Sequence, residues 1–169
     1  QFVSSNYDLI LGNGTAALQA AYTATPSIPI LGTSITDYGT ALDMAEWTGV
    51  SGMNVSGTTD LAPLDKQADM LKELFPDAKT IGILYCSAEA NSKYQSDTIT
   101  PFFESAGYTV KTYSFADSND VAAVAKTACD ENDVLYIPTD NTAASNTGII
   151  DNTATAAKTP IIAGEEGIC

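Results

Sequence analysis

Short apolar runs of strand length alternate with stretches of helical periodicity along the whole chain. The stretch Asp8-Leu-Ile-Leu-Gly-Asn-Gly-Thr-Ala-Ala-Leu-Gln-Ala-Ala21 sets the pattern. Leu9 to Leu11 reads as a buried strand, Gly12 to Gly14 as a tight turn, and the run from Thr15 as a helix rich in alanine. Glycines there let the backbone turn sharply and approach a ligand. The first amides of a helix have no partner within it and carry partial positive charge, so a carboxylate or phosphate is favoured beside them. Such a turn also occurs as a plain strand-to-helix connection with water on those amides.

The same alternation continues. Pro29 to Leu31 reads as a second strand, Ile35 to Tyr38 as the loop beyond it, and 40 to 47 as a short helix. Val55 to Thr59 is a third extended piece, and a helix is expected from Leu61 to Phe75, with Pro63 tolerated in its first turn. Leu64, Ala68, Leu71 and Leu74 or Phe75 recur at helical spacing, so one face is core.

In the second half, Thr80 to Tyr85, Thr109 to Ser114, Val134 to Ile137 and Ile161 to Ala163 read as strands. Helices are expected over 91–106, kinked or restarted at Pro101 with Thr100 as cap, from Ser118 or Asn119 to Cys129, and over 142–157. Ile99, Phe102, Phe103 and Ala106 are expected to face inward. Repeated strand–helix units of this kind give parallel sheets flanked by helices. The break near Gly57 to Leu61 separates two series, so the fold class is α/β with two Rossmann-like parallel-sheet lobes, residues 1–59 and 60–169. Both ends read as cut. Gln1 leads directly into helix-like residues and Cys169 follows a strand and loop with nothing to close it, so a segment of a longer protein is expected.

Composition narrows the function classes. Lys plus Arg number 7 against 21 Asp plus Glu, a formal net charge of -14. Nucleic acids and anionic membranes need basic patches, which this balance disfavours. The chain has no histidine, which removes the usual general base and the commonest metal ligand and rules out Ser-His-Asp and Cys-His sets. Cys86, Cys129 and Cys169 form no CxxC pair, so neither a zinc site nor a closed disulfide framework is expected. No cofactor and no metal are called for. No apolar run reaches membrane-spanning length.

Ligands of parallel sheets gather at the carboxyl ends of the strands. Those ends carry Gly12-Asn-Gly-Thr15, Thr33-Ser-Ile-Thr-Asp37, Thr58-Thr-Asp60, Ser87-Ala-Glu-Ala-Asn-Ser92, Pro138-Thr-Asp-Asn-Thr142 and Gly164-Glu-Glu-Gly167. Glycine turns and helix starts offer amides to an anion; Asp37, Asp60, Asp140 and Glu165 or Glu166 offer oxygens to a cation. A ligand bearing both a carboxylate and an ammonium matches both sets, and an amino acid is the smallest common example. The same residues have plainer roles. Asp37, Asp140 and Thr142 suit turns or caps, and Asp60 suits the cap of the following helix. Glu89, Glu165 and Glu166 suit solvent, Tyr38 and Tyr85 packing, Cys86 and Cys129 a buried apolar site, and Trp47 a local cover.

Taken in order, the Asp8 to Ala20 stretch, Ile28-Pro-Ile, Thr36-Asp37, Val55-Ser-Gly-Thr-Thr-Asp60, Lys79-Thr-Ile-Gly-Ile-Leu-Tyr85, Glu89-Ala-Asn-Ser92, Ser118-Asn-Asp-Val121, Pro138-Thr-Asp-Asn-Thr142 and Pro160-Ile-Ile-Ala-Gly-Glu165 make the chain similar to a known family. It resembles bacterial ABC-transporter substrate-binding proteins of the tryptophan/tyrosine-binding kind. The resemblance implies a type I periplasmic-binding-protein fold, present in part, whose two lobes close on a ligand without chemistry. It implies a lipid-anchored or periplasmic protein that hands an amino acid, aromatic or related, to an ABC permease. By position, Thr15, Ala16 and Asp60 would contact the ligand from the first lobe and crossover, with Thr36 and Asp37 on the same side. Asn91, Ser92, Asp140 and Asn141 would face it from the second lobe, and Glu165 or Glu166 would sit at the returning crossover. The family's opening βαβα segment and returning tail have no counterpart here, and Asn13 and Pro101 depart from its commonest pattern.

Two other readings stay open at this stage. One is a sugar- or nucleoside-type sensor on the same fold. The other is a nucleotide-dependent enzyme using Gly12-Asn-Gly-Thr-Ala-Ala17, which fits the loose pattern G-x-G-x-x-G/A.

Overall fold

The computed structural model describes residues 2–5 and 7–169. Gln1, where the sequence reads as helix-like, lies outside the described residues; Val3–Ser5 form a 3-10 turn. The chain divides into two compact units, Gln1–Leu61 and Ala62–Cys169.

The first unit is a three-stranded, all-parallel sheet of β1 (Ile10–Asn13), β2 (Ile30–Ile35) and β3 (Val55–Thr59), in that order. Helix α1 (Thr15–Ala24) packs on it through Leu18, which is fully buried with Ile10, Ile30, Ile35 and Val55. The opposite face leaves Leu11 and Leu31, paired in register, 67% and 41% exposed. Strand β2 runs further than the sequence suggests: Thr33 to Ile35, expected as loop, belong to it, with Ser34 at φ 56 marking an irregularity against β3. Pairing on both sides overrides the polar composition of that stretch. The short helix α2 is Tyr38–Ala41 rather than 40 to 47. Trp47 covers it, stacked on Tyr38 with centroids 6.0 Å apart.

The second unit holds helix α3 (Leu64–Leu74) and a four-stranded parallel sheet. Its strands are β4 (Thr80–Cys86), β5 (Thr109–Phe115), β6 (Val134–Ile137) and β7 (Ile161–Ala163), in the order β5-β4-β6-β7. The interior strands β4 and β6 are buried almost throughout, as expected for parallel strands covered on both faces. Helices α4 (Ala90–Ser105), α5 (Val121–Glu131), α6 (Asn141–Ala144) and α7 (Thr147–Ala157) connect and cover them.

Helix boundaries in the second unit also differ from the sequence expectation, for local reasons. Helix α3 starts at Leu64, with Pro63 as its N-cap residue rather than inside the first turn. The stretch 142–157 is two helices. Asn146 donates its side-chain amide to the Thr142 carbonyl at 2.7 Å, and Ser145 donates its hydroxyl to the Asn141 carbonyl at 2.8 Å; short polar side chains compete with the helix ladder in this way. Helix α5 starts at Val121 because Asp117 accepts the Asn119 amide at 2.8 Å in a turn before it.

Helix α4 runs through Pro101 without the expected restart. Thr100 is not a cap; its hydroxyl donates to the Ser96 carbonyl at 2.7 Å. Phe103 is fully buried against Tyr136, edge to face at 5.5 Å, while Phe102, expected inward, is exposed. Pro101 lies on the exposed side, as does Asp97, whose carbonyl proline leaves without a helix donor, so that carbonyl is open to solvent rather than sealed in the core. Pro101→Ala is expected to raise unfolding free energy by about 1–2 kcal/mol in denaturant titrations. The gain in helix propensity exceeds the entropy returned to the unfolded chain.

Candidate functional site

In the first unit the three strand ends are tied into one edge. The Gly14 amide donates to the Thr33 carbonyl at 2.9 Å, bringing the turn after β1 against the end of β2. The Thr59 hydroxyl donates to the Thr36 carbonyl at 2.8 Å, and the Asp60 amide to the Ile35 carbonyl at 3.1 Å, bringing the end of β3 to the same loop. Thr15, Ala16, Thr36, Asp37 and Asp60 therefore share this edge.

Their availability differs. Gly14, at φ 89, precedes α1 and supplies no side-chain cap, so the Thr15 and Ala16 amides at the helix start stay unpaired within the helix. Thr15 and Thr36 are buried. Asp37 is an N-cap: one oxygen takes the Thr40 amide at 2.7 Å. Asp60 is exposed and does not cap α3, which starts four residues later. No lysine or arginine occurs before Lys66, so in this unit no cationic side chain competes with the partial positive charge at the start of α1.

In the second unit Asn91, Ser92, Asp140 and Asn141 come together where β4 and β6 end, but they bond chiefly to the loop itself. Asn91, Ser92 and Gln95 on α4 all donate to the Thr139 carbonyl, at 3.2, 3.2 and 3.1 Å, and the Thr139 amide donates to the Gln95 side-chain oxygen at 3.2 Å. Asp140 is fully buried. One of its oxygens takes the Cys86 amide at 2.6 Å and the other caps α6 through the Ala143 amide at 2.7 Å. Burial raises its pKa against those two amides, and the Glu89 charge raises it further.

Glu89, which suits solvent on sequence grounds, is instead half-buried. One oxygen accepts from the Asn141 amide at 3.0 Å and its side-chain amide at 2.8 Å. The other accepts from the Thr142 amide at 2.8 Å and hydroxyl at 2.7 Å. Burial opposes its ionisation, yet these donors prevail and hold its pKa below the usual carboxylate range. Glu89 and Gln95 are the members of this hydrogen-bond network that sequence reasoning passed over. The spacing of Asn91, Ser92 and Gln95 was a usable signal, since residues three and four apart share a helix face; nothing local pointed to Glu89. Glu166, exposed, opens the 3-10 turn Glu166–Ile168, which packs beside α6. The Glu165 carboxylate takes the Gly167 amide at 3.2 Å.

Among the described residues no three His, Cys, Asp or Glu side chains are grouped to hold a metal ion. All three cysteines are free thiols, Cys86 and Cys129 buried. Among the described residues, no helix is long and apolar enough to cross a membrane. What the two edges offer, at the ends of parallel strands, is amides to an anion and carboxylate oxygens to a cation.

Comparison with known proteins agrees with that chemistry. The family model described as "ABC transporter substrate binding protein" matches residues 1–169. The chain belongs to this family of ABC-transporter substrate-binding proteins, whose members bind solutes rather than transform them. It is 40% identical over 167 residues to a tyrosine-binding protein of Clostridioides difficile, covering 99% of this chain and 48% of that one. It superposes with a TM-score of 0.93 and 32% identity on an ABC domain from Streptococcus pneumonia in complex with L-Trp, covering 98% of this chain and 57% of that one. A leucine-binding protein of Thermotoga maritima, 17% identical with a TM-score of 0.68 over 96% of this chain and 45% of its own, shares the type I periplasmic-binding-protein fold. The chain spans about half the length of the relatives it matches.

Proposed function

We propose that this chain forms the ligand-contacting part of an extracytoplasmic solute receptor for an aromatic amino acid, which passes its ligand to an ABC permease. One observation carries the reading. In the first unit, unpaired amides at the start of α1 and the exposed Asp60 carboxylate share one strand-end edge of a unit without a cationic side chain. An amino acid presents the complementary pair, a carboxylate for the amides and an ammonium for the carboxylate. The names of the relatives support an aromatic side chain: one binds tyrosine and another holds L-Trp.

In this reading Thr15, Ala16 and Asp60 contact the ligand's charged groups, with Thr36 and Asp37 shaping the loop beside them. In the second unit Asn91, Asn141 and Glu166 are the candidate contacts. Ser92 and Asp140, fully buried, act by holding the loop that presents them. The receptor works at the outer face of the membrane or in the periplasm, with or without a lipid anchor.

Calorimetry of the intact protein against L-tyrosine, L-tryptophan, L-phenylalanine, L-leucine, L-glutamate, ribose, uridine, NAD and ATP tests the reading. An aromatic L-amino acid is expected to saturate one site. Asp60→Asn is expected to weaken it about tenfold, the scale of one charge-assisted hydrogen bond. Saturation by ribose, uridine or a nucleotide, or by no amino acid, would overturn the reading.

A further inference from the structure

We propose that Glu89 is a positioning residue, an internal carboxylate that fixes the start of α6 so that the loops after β4 and β6 present their side chains as one surface. This rests on the reading that the strand ends of the second unit meet the ligand. Glu89 stands at the junction of β4 and α4. Its amide donates to the Cys86 carbonyl at 3.1 Å, and its own carbonyl accepts the Ser92 and Lys93 amides at 3.1 and 3.2 Å. The backbone of Glu89 is thus part of the first loop, while its carboxylate reaches the second.

The carboxylate is saturated. An ionised carboxylate has about four acceptor positions; the amides of Asn141 and Thr142, the Asn141 side chain and the Thr142 hydroxyl fill four, and the Asn91 side-chain amide stands 3.5 Å from the oxygen that Asn141 holds. No capacity is left for a ligand ammonium, so Glu89 acts through Asn141 and Thr142. Helix α6 has four residues, Asn141–Ala144, and a single turn does not hold itself together in water. Its leading donors are met from outside the turn by Glu89 and from its cap by Asp140, which takes the Ala143 amide. The two carboxylates divide the work. Asp140 is sealed inside and secures α6 to the end of β4 through the Cys86 amide, whereas Glu89 clasps the outer side, where Asn141 is exposed. Orientation of the Asn141 side chain is set by its bond to Glu89, which leaves its carbonyl oxygen as the group turned to other partners.

Glu89→Ala, Glu89→Gln and Glu89→Asp in the intact protein test the proposal by two readouts: calorimetry with L-tyrosine and amide hydrogen exchange at Asn141, Thr142 and Ala143. In Glu89→Ala the three amides are expected to exchange faster and affinity to fall about tenfold or more, since small misplacements of contacting groups cost on this scale. Acetate added to Glu89→Ala is expected to restore both in a saturable way, while acetamide does not. Glu89→Asp is expected to lie between wild type and Glu89→Ala, and Glu89→Gln to fall below wild type because its amide group donates where donors already point. Unchanged exchange in Glu89→Ala, or faster exchange with tyrosine binding intact, would overturn the proposal. A wild-type protein that binds no amino acid sinks instead the functional reading on which the proposal rests.

Discussion

Asp140→Ala is expected to lower the unfolding free energy of the protein by about 3 kcal/mol and to weaken ligand binding strongly. Truncation leaves the Cys86 and Ala143 amides without their acceptor. Each is a hydrogen bond to a charged group, worth about 1.5–3 kcal/mol, and a buried unpaired amide adds its desolvation cost. Asp140→Asn is expected to cost less. Its carbonyl oxygen replaces one acceptor, while its amide group meets the other N–H as a second donor. Urea titration followed by circular dichroism gives the loss directly, and a cost under about 1 kcal/mol would contradict the sealed geometry.

The pH dependence carries the opposite sign at Asp140 and Glu89. Burial raises the Asp140 pKa, so ionising it costs stability: the pH-linked part of its contribution is fully present below the unfolded value and is lost as pH rises through the folded one, apart from the two amide hydrogen bonds it accepts. Glu89 is held below its usual value by its donors despite burial, so its contribution is present above the unfolded value and lost as pH falls through the folded one. Replacing Asp140 therefore removes the component that weakens with rising pH and leaves the acid-labile one at Glu89.

The second large effect is expected at Gly57. Its φ is 153, and a Cβ there would fall well inside contact distance of the Gly32 carbonyl oxygen and the Tyr38 hydroxyl. Tyr38 reaches across the sheet, donating to the Gly32 carbonyl at 3.0 Å and to the Thr58 carbonyl at 3.3 Å. Gly57→Ala must push β3 from β2 or expel Tyr38 from beneath the strand ends, at a cost of about 3 kcal/mol or more. Trp47 is the only tryptophan of the chain and stacks on Tyr38, so its fluorescence reports this unit alone. A red-shifted, more exposed Trp47 signal and early unfolding of the first unit are expected. A variant with unchanged Trp47 emission and unchanged melting would show that the close approach is absent.

Periodicity made the strands and helices legible. Leu64, Ala68 and Leu71 on α3, and Val121, Ala125 and Ala128 on α5, are buried as their spacing requires. The carboxyl-end rule singled out Asn91, Ser92, Asp140 and Asn141, and the structure brings these four together at the strand ends of the second unit. It did not give their direction. Asp140 is at the end of a polar loop, where composition equally suits solvent, a cap or a ligand, and only packing against Cys86 shows it enclosed. Phe102 and Phe103 are adjacent and equally apolar, and the roll of α4 on the sheet decides which is inside.

By itself the amino-acid sequence determined the alternating α/β plan, the anion-favouring start of α1 after a glycine turn, and the exclusion of histidine-dependent chemistry, because these depend on local spacing and on which residue types exist. Tertiary structure alone decided that Glu89 spans two loops, that Asp140 is buried and that β2 runs on to Ile35. Those outcomes depend on hydrogen bonds between residues 23 to 54 positions apart, and no local pattern encodes which distant amide a carboxylate will meet.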